Sequence, residues 1–253
     1  AKRFPNSPSV QAEVAGALAV LAVDDALEGQ IADAGGIQVL LDALQKHSKS
    51  AAVAAHAWHA LTNLSVSTAT KKQIVDSPLI KGVVANALQA HESAPRVVEG
   101  IATTIRNLCL PVGGALPEVG KVCDAASVQR LVAILKANLE TTIVSLAISG
   151  AIRAIAADAP HAVQLGQLGA KEQLMEALYK HTDDERLRKE VESAVRRIDD
   201  AVGGNATDVN SRSSFVTQTT ERMKTRMPLG QKQKSVEPGS RKGALTSLLS
   251  SRS

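Results

Sequence analysis

Four stretches of this chain share one ending in fixed register: Ala43-Leu44-Gln45-Lys46-His47, Ala87-Leu88-Gln89-Ala90-His91, Ile134-Leu135-Lys136-Ala137-Asn138 and Ala177-Leu178-Tyr179-Lys180-His181. They start at 43, 87, 134 and 177, so the intervals are 44, 47 and 43 residues. A second motif keeps the same offsets: Leu61-Thr62-Asn63-Leu64, Ile105-Arg106-Asn107-Leu108, Ile152-Arg153-Ala154-Ile155 and Val195-Arg196-Arg197-Ile198. Two motifs in one register define an internal repeat. A unit this short cannot bury its apolar face alone, so neighbouring units must stack.

Within each unit the apolar residues follow helical spacing, as in Val39, Leu40, Ala43 and Leu44, or Val97, Ile101 and Ile105, with no strand-like alternation. The fold class is all-α. Each period reads as a short helix, a corner, a middle helix and a longer final helix. In the first full repeat these are 27–33, 37–45 and 51–64, with Gly35 and Gly36 at the corner because glycine accepts positive φ. Later corners are Asp76-Ser77-Pro78 and Leu168-Gly169-Ala170. The repeat region spans 1–201: a partial repeat at about 9–23, then full repeats at about 24–66, 67–110, 118–157 and 158–201. The longer interval places an inserted loop at Leu110 to Pro117, marked by Pro111, Gly113, Gly114 and Pro117. The lone final helix at the start either caps the stack or follows upstream repeats that were removed, and removal is the expectation.

Composition agrees with close helix stacking. Hydrophobic residues make up 44%, yet the aromatic residues are only Phe4, Trp58, Tyr179 and Phe215, so the core must be built from Ala, Val, Leu and Ile. Small contact residues let helix axes approach. Cys109 and Cys123 are too few for a disulfide framework and point to a reducing compartment. No stretch approaches the roughly 18 apolar residues of a membrane span, and the start has no secretory signal, so the expected location is cytoplasmic, with nuclear or ciliary sites as alternatives. Charge is segregated. Residues 202–253 hold nine Lys or Arg against three Asp or Glu and 15 Ser or Thr, a composition expected to stay disordered unless bound.

The period in the low forties, the corner Ile31-Ala32-Asp33-Ala34-Gly35-Gly36-Ile37 and the ending Ala60-Leu61-Thr62-Asn63-Leu64 together resemble the armadillo-repeat family over residues 10–200. The resemblance implies a right-handed α-solenoid of three-helix repeats whose third helices line a concave groove for extended peptides or partner proteins, without catalysis. In peptide-binding members an Asn late in the third helix grips the ligand backbone and a Trp one turn earlier forms a pocket. Asn63 and Asn107 match the Asn; Ala154 and Arg197 stand there in the last two repeats. His59 and Thr103 replace the Trp, and Trp58 is displaced by one residue, about 100° around the helix, into a packing position. The side-chain pockets of a nuclear-import adaptor are therefore missing.

His56 and His59 lie three apart on one helix, as two metal ligands can, but no third ligand accompanies them, and they read as polar groove residues beside Asn63. His47, His91 and His181 read as helix C-terminal residues meeting the last carbonyls. Asp183, Asp184 and Glu185, followed by Arg186, Arg188 and Lys189, read as a solvated helix start. Asn63 and Asn107 either bond a neighbouring backbone carbonyl or grip a peptide. No phosphate loop or hydrolase motif is present, and no cofactor or metal is implied. The expected function is a non-enzymatic protein-interaction scaffold or adaptor, in an assembly of cytoskeletal or ciliary type. Its groove would use His56, His59, Asn63, Thr103 and Asn107. A second contact would come from Arg222, Lys224, Arg226, Lys232, Lys234, Arg241 and Lys242 in the tail. One alternative is a nucleic-acid or anionic-surface binder acting through that tail. Another is a transport adaptor for peptide signals.

Overall fold

Side-chain oxygens and prolines set where the helices begin. Ser7, Asp24, Ser50 and Asp184 each accept a hydrogen bond from a backbone N–H of the first turn that follows, which supplies donors the helix cannot satisfy internally. Pro8, Pro95 and Pro160 stand where a missing N–H is harmless. The computed structural model describes residues 3–111 and 118–203. These form thirteen α-helices and no strand. In chain order they are α1 (Pro8–Leu21), α2 (Asp25–Asp33), α3 (Gly36–Lys46), α4 (Ala51–Leu64), α5 (Thr68–Val75), α6 (Ile80–Ala90), α7 (Pro95–Leu108), α8 (Val119–Val122), α9 (Ala125–Ala137), α10 (Thr142–Ile155), α11 (Ala159–Gln167), α12 (Ala170–Lys180) and α13 (Glu185–Val202).

The sequence boundaries of the first repeat hold to within two residues. Gly35 and Gly169 occupy the left-handed region at φ 82° and 70°, at the two glycine corners read from the sequence. The third repeat departs from the common plan, because its first helix, α8, has only four residues. Most of the inserted loop, 112–117, lies outside the described residues, as does the tail from 204 onward.

Packing follows the repeat. Helices α1, α4, α7, α10 and α13 each touch the next of that series, and α3, α6, α9 and α12 form a second such series against them. Most buried residues of both series join in one apolar cluster from Ala15 to Ile198, beside a small second one of Ala12, Ala43 and Val53. Alanines hold the third helices close: Ala15, Ala57, Ala60, Ala102, Ala151 and Ala194 all lie in that cluster. At Gly100 the approach is close, since a Cβ there would stand 3.0 Å from the Cβ of Trp58. Trp58 is fully buried, as its displaced register predicted.

Candidate functional site

Helices α4, α7 and α13 each leave one stripe open, whereas on α10 the matching positions Ala147, Gly150 and Ala154 are buried and Arg153 is half-buried. On α4 the stripe carries His56, His59, Thr62 and Asn63; on α7 it carries Thr103, Arg106 and Asn107. His56 and His59 are exposed, whereas Asn63, Thr103 and Asn107 are half-buried. The five residues thus occupy two adjacent helices. His56 leans over α1, where its Nδ1 would be 3.3 Å from a Cβ at Gly16. Among the described residues no group of three or more His, Cys, Asp or Glu is placed to hold a metal.

The two asparagines serve the stack. Asn63 Nδ2 donates to the carbonyl of Ala19 at 2.9 Å, and Asn107 Nδ2 donates to the carbonyl of Thr62 at 3.3 Å and to Ser65 Oγ at 3.0 Å. A carbonyl only accepts, so the amide nitrogens face the preceding repeat. In the last repeat Arg197 Nη1 does the same, donating to the carbonyl of Arg153 at 2.8 Å. Ala19, Thr62 and Arg153 share one register, so two asparagines and an arginine each reach the equivalent carbonyl one repeat back. Ala154 leaves a gap in that series. Val20, at the same position of α1, is exposed.

A parallel series joins the ends of the middle helices. His47 Nε2 meets the carbonyl of Pro5 at 3.0 Å, His91 Nε2 that of Ser48 at 2.8 Å, and His181 Nε2 that of Leu139 at 2.8 Å. This corrects the expectation that these imidazoles bind the last carbonyls of their own helices: each ring extends across the repeat boundary. Asn138 does cap its own helix, donating to Ile134 O at 2.9 Å.

Sequence reasoning missed the charged centre of this surface. Glu190 of α13 lies across Gly150 of α10, where its Oε2 would stand 3.6 Å from a glycine Cβ. It pairs closely with Arg153 Nε and sits 3.9 Å from Arg106 Nη1 of α7. Burial, followed by the charge of Arg153, lowers the pKa of Arg197, while Glu190 opposes that shift. The signal was present in the repeat register, since Thr62, Arg106, Arg153 and Arg196 align. Beside α4, Thr62 and Thr104 hydroxyls bond at 2.9 Å, and Thr104 is fully buried.

Away from this face, Glu28 is buried and accepts from Thr70 Oγ1 at 2.6 Å. Lys71 is also buried and donates to the carbonyl of Leu110, and desolvation lowers its pKa. Cys109 and Cys123 are free, buried thiols in mutual contact; that contact and burial push Cys123 well up. Arg222, Lys224, Arg226, Lys232, Lys234, Arg241 and Lys242 lie outside the described residues. No helix among the described residues is long and apolar enough to cross a membrane. No family model matches this chain, and no curated protein matches it.

Proposed function

We propose that this chain is an armadillo-type right-handed α-solenoid that acts as a non-enzymatic scaffold or adaptor. A partner protein lies along the concave face of the third helices, and the basic segment 202–253 makes a second contact, within a larger cytoplasmic assembly. The observation that carries this reading is the common register of the third helices α4, α7 and α10, which sets the exposed His56 and His59 and the half-buried Thr103, Arg106 and Arg153 on successive helices. Their spread over several repeats suits a partner bound through area, as stacked repeats allow.

The reading is tested by cross-linked pull-down with mass spectrometry, using the intact chain, a chain ending at residue 201 and the double variant His59→Glu/Thr103→Glu. The groove variant should lower recovery of the partner severalfold, and truncation should lower it less. Unchanged recovery with the groove variant would sink the reading. Complete loss on truncation, together with a steep fall in affinity with salt, would instead favour anionic-surface binding through the tail.

A further inference from the structure

The open face of α7, α10 and α13 carries more positive charge than it can neutralise. Arg106, Arg153 and Arg197 come from three successive third helices and surround a single carboxylate, Glu190. Oε2 of that carboxylate pairs with Arg153, whereas Oε1 stands 3.9 Å from Arg106, beyond hydrogen-bond distance. Arg106 Nε is buried and has no hydrogen-bond partner among the described residues. Arg106 remains 38% exposed at its side chain, and Arg196 on the next turn of α13 is exposed as well. The acidic residue of α7 itself, Glu99, lies seven positions before Arg106, about 10 Å along the helix. The surplus is local, because residues 1–201 hold 20 Lys or Arg against 22 Asp or Glu.

From this excess we infer that the α7–α10–α13 face binds an acidic segment of a partner protein, with Arg106, Arg153 and Arg197 receiving its carboxylates. The inference rests on the groove reading above and gives its ligand a chemistry. Glu190 already displays the contact in miniature: it is a carboxylate laid across Gly150 between guanidinium groups of two other helices. A guanidinium has five donors in a fork that matches a carboxylate, so Arg106 can take a second one. With helix axes 8–10 Å apart, crossing from α7 to α13 needs about six extended residues. A nucleic acid fits less well, since none of the aromatic residues among the described residues, Phe4, Trp58 and Tyr179, lies on this face to stack bases, Trp58 being buried in α4.

The test measures fluorescence anisotropy of a short Glu-rich peptide labelled with fluorescein, titrated with the full chain at fixed low salt. The same peptide with every Glu replaced by Gln, and an oligo-dT strand, are the comparison probes. Arg106→Gln should weaken the Glu peptide by roughly tenfold. Glu190→Gln removes the internal competitor and should tighten it severalfold, a change opposite in sign to that of a damaged fold. Arg106→Lys should retain part of the affinity, and circular dichroism melts verify that each variant folds. Replacing Arg222, Lys224 and Arg226 by Gln should weaken binding less than Arg106→Gln does. The inference is overturned if Arg106→Gln leaves the peptide unaffected, if Glu190→Gln weakens it, or if the tail substitutions alone abolish it. Tighter binding of oligo-dT, lost in Arg106→Gln, would also overturn it in favour of a polyanion surface. If His59→Glu/Thr103→Glu still lowers partner cross-linking while Arg106→Gln changes nothing, only the acidic chemistry fails. If neither matters, the groove reading fails with it.

Discussion

Asn107 gives both hydrogens of its amide nitrogen to the preceding repeat, one to Thr62 O and one to Ser65 Oγ, while Ser65 Oγ itself donates to Thr62 O at 2.8 Å. Removing the amide leaves a half-buried carbonyl with one donor fewer, so Asn107→Ala should destabilise the fold by about 1–2 kcal/mol in urea titration. A loss near zero would mean that water replaces the amide. Asp184 offers a pH-dependent case. Its carboxylate accepts from Leu187 N at 3.1 Å and Arg186 N at 2.9 Å, and these bonds, that of Leu187 foremost, hold its pKa below the ordinary range. A carboxyl depressed on folding contributes stability that is complete above its unfolded pKa of about 4 and is lost as pH falls through the lower folded value. Asp184→Asn keeps an acceptor at the cap, so stability at neutral pH should fall by no more than about 1 kcal/mol. The acid side of its stability profile should become shallower than that of the parent chain. At this scale the sequence was only half legible: it showed that Asn63 and Asn107 were special, but not which way their amides faced. The register of Arg197 was visible too, yet nothing local says that a long guanidinium reaches the carbonyl that an Asn reaches elsewhere.

Helix positions were far easier to read than their contacts. The spacing of Ala51 to Leu64 and the glycines at 35 and 36 define an amphipathic helix and a corner by local chemistry alone, and the helices fall there. The short α8 was not legible, because a four-residue helix has too few turns to show a period. The imidazoles at 47, 91 and 181 were placed correctly at helix ends but assigned to the wrong carbonyls, since a partner some 42 or 43 residues away leaves no mark nearby. Element packing makes its own prediction at Gly100. A Cβ added there meets the Cβ and backbone of Trp58, neither of which can swing aside. Gly100→Leu should therefore push α7 off α4 and destabilise the protein by about 1–3 kcal/mol, despite the better helix propensity of leucine. Thermal denaturation would show it as a lowered midpoint. At Gly150 the obstruction is Arg106 Cδ, the flexible part of a side chain, so Gly150→Ala should leave stability within about 1 kcal/mol while displacing Arg106.

Among the described residues α1, α4, α7, α10 and α13 each pack on the next of that series, and the cooperativity of unfolding depends on those contacts. Stacked repeats unfold together when the interfaces are strong and come apart when one is weak. Two features argue for strong coupling: the apolar cluster runs unbroken from Ala15 to Ile198, and polar rungs at Asn63, Asn107, His91 and His181 tie adjoining units. Trp58 is the only tryptophan and lies buried in α4, so its fluorescence reports the first full repeat, whereas far-ultraviolet circular dichroism reports every helix. The two probes should give coincident urea transitions for the parent chain. Asn107→Ala combined with His91→Ala cuts rungs between the first and second full repeats, and the tryptophan transition should then separate from the helical one. Non-coincidence in the parent chain would show that the continuous core does not couple the repeats. Coincidence in the double variant would show that apolar packing alone carries the coupling, and that the rungs fix register rather than cooperativity.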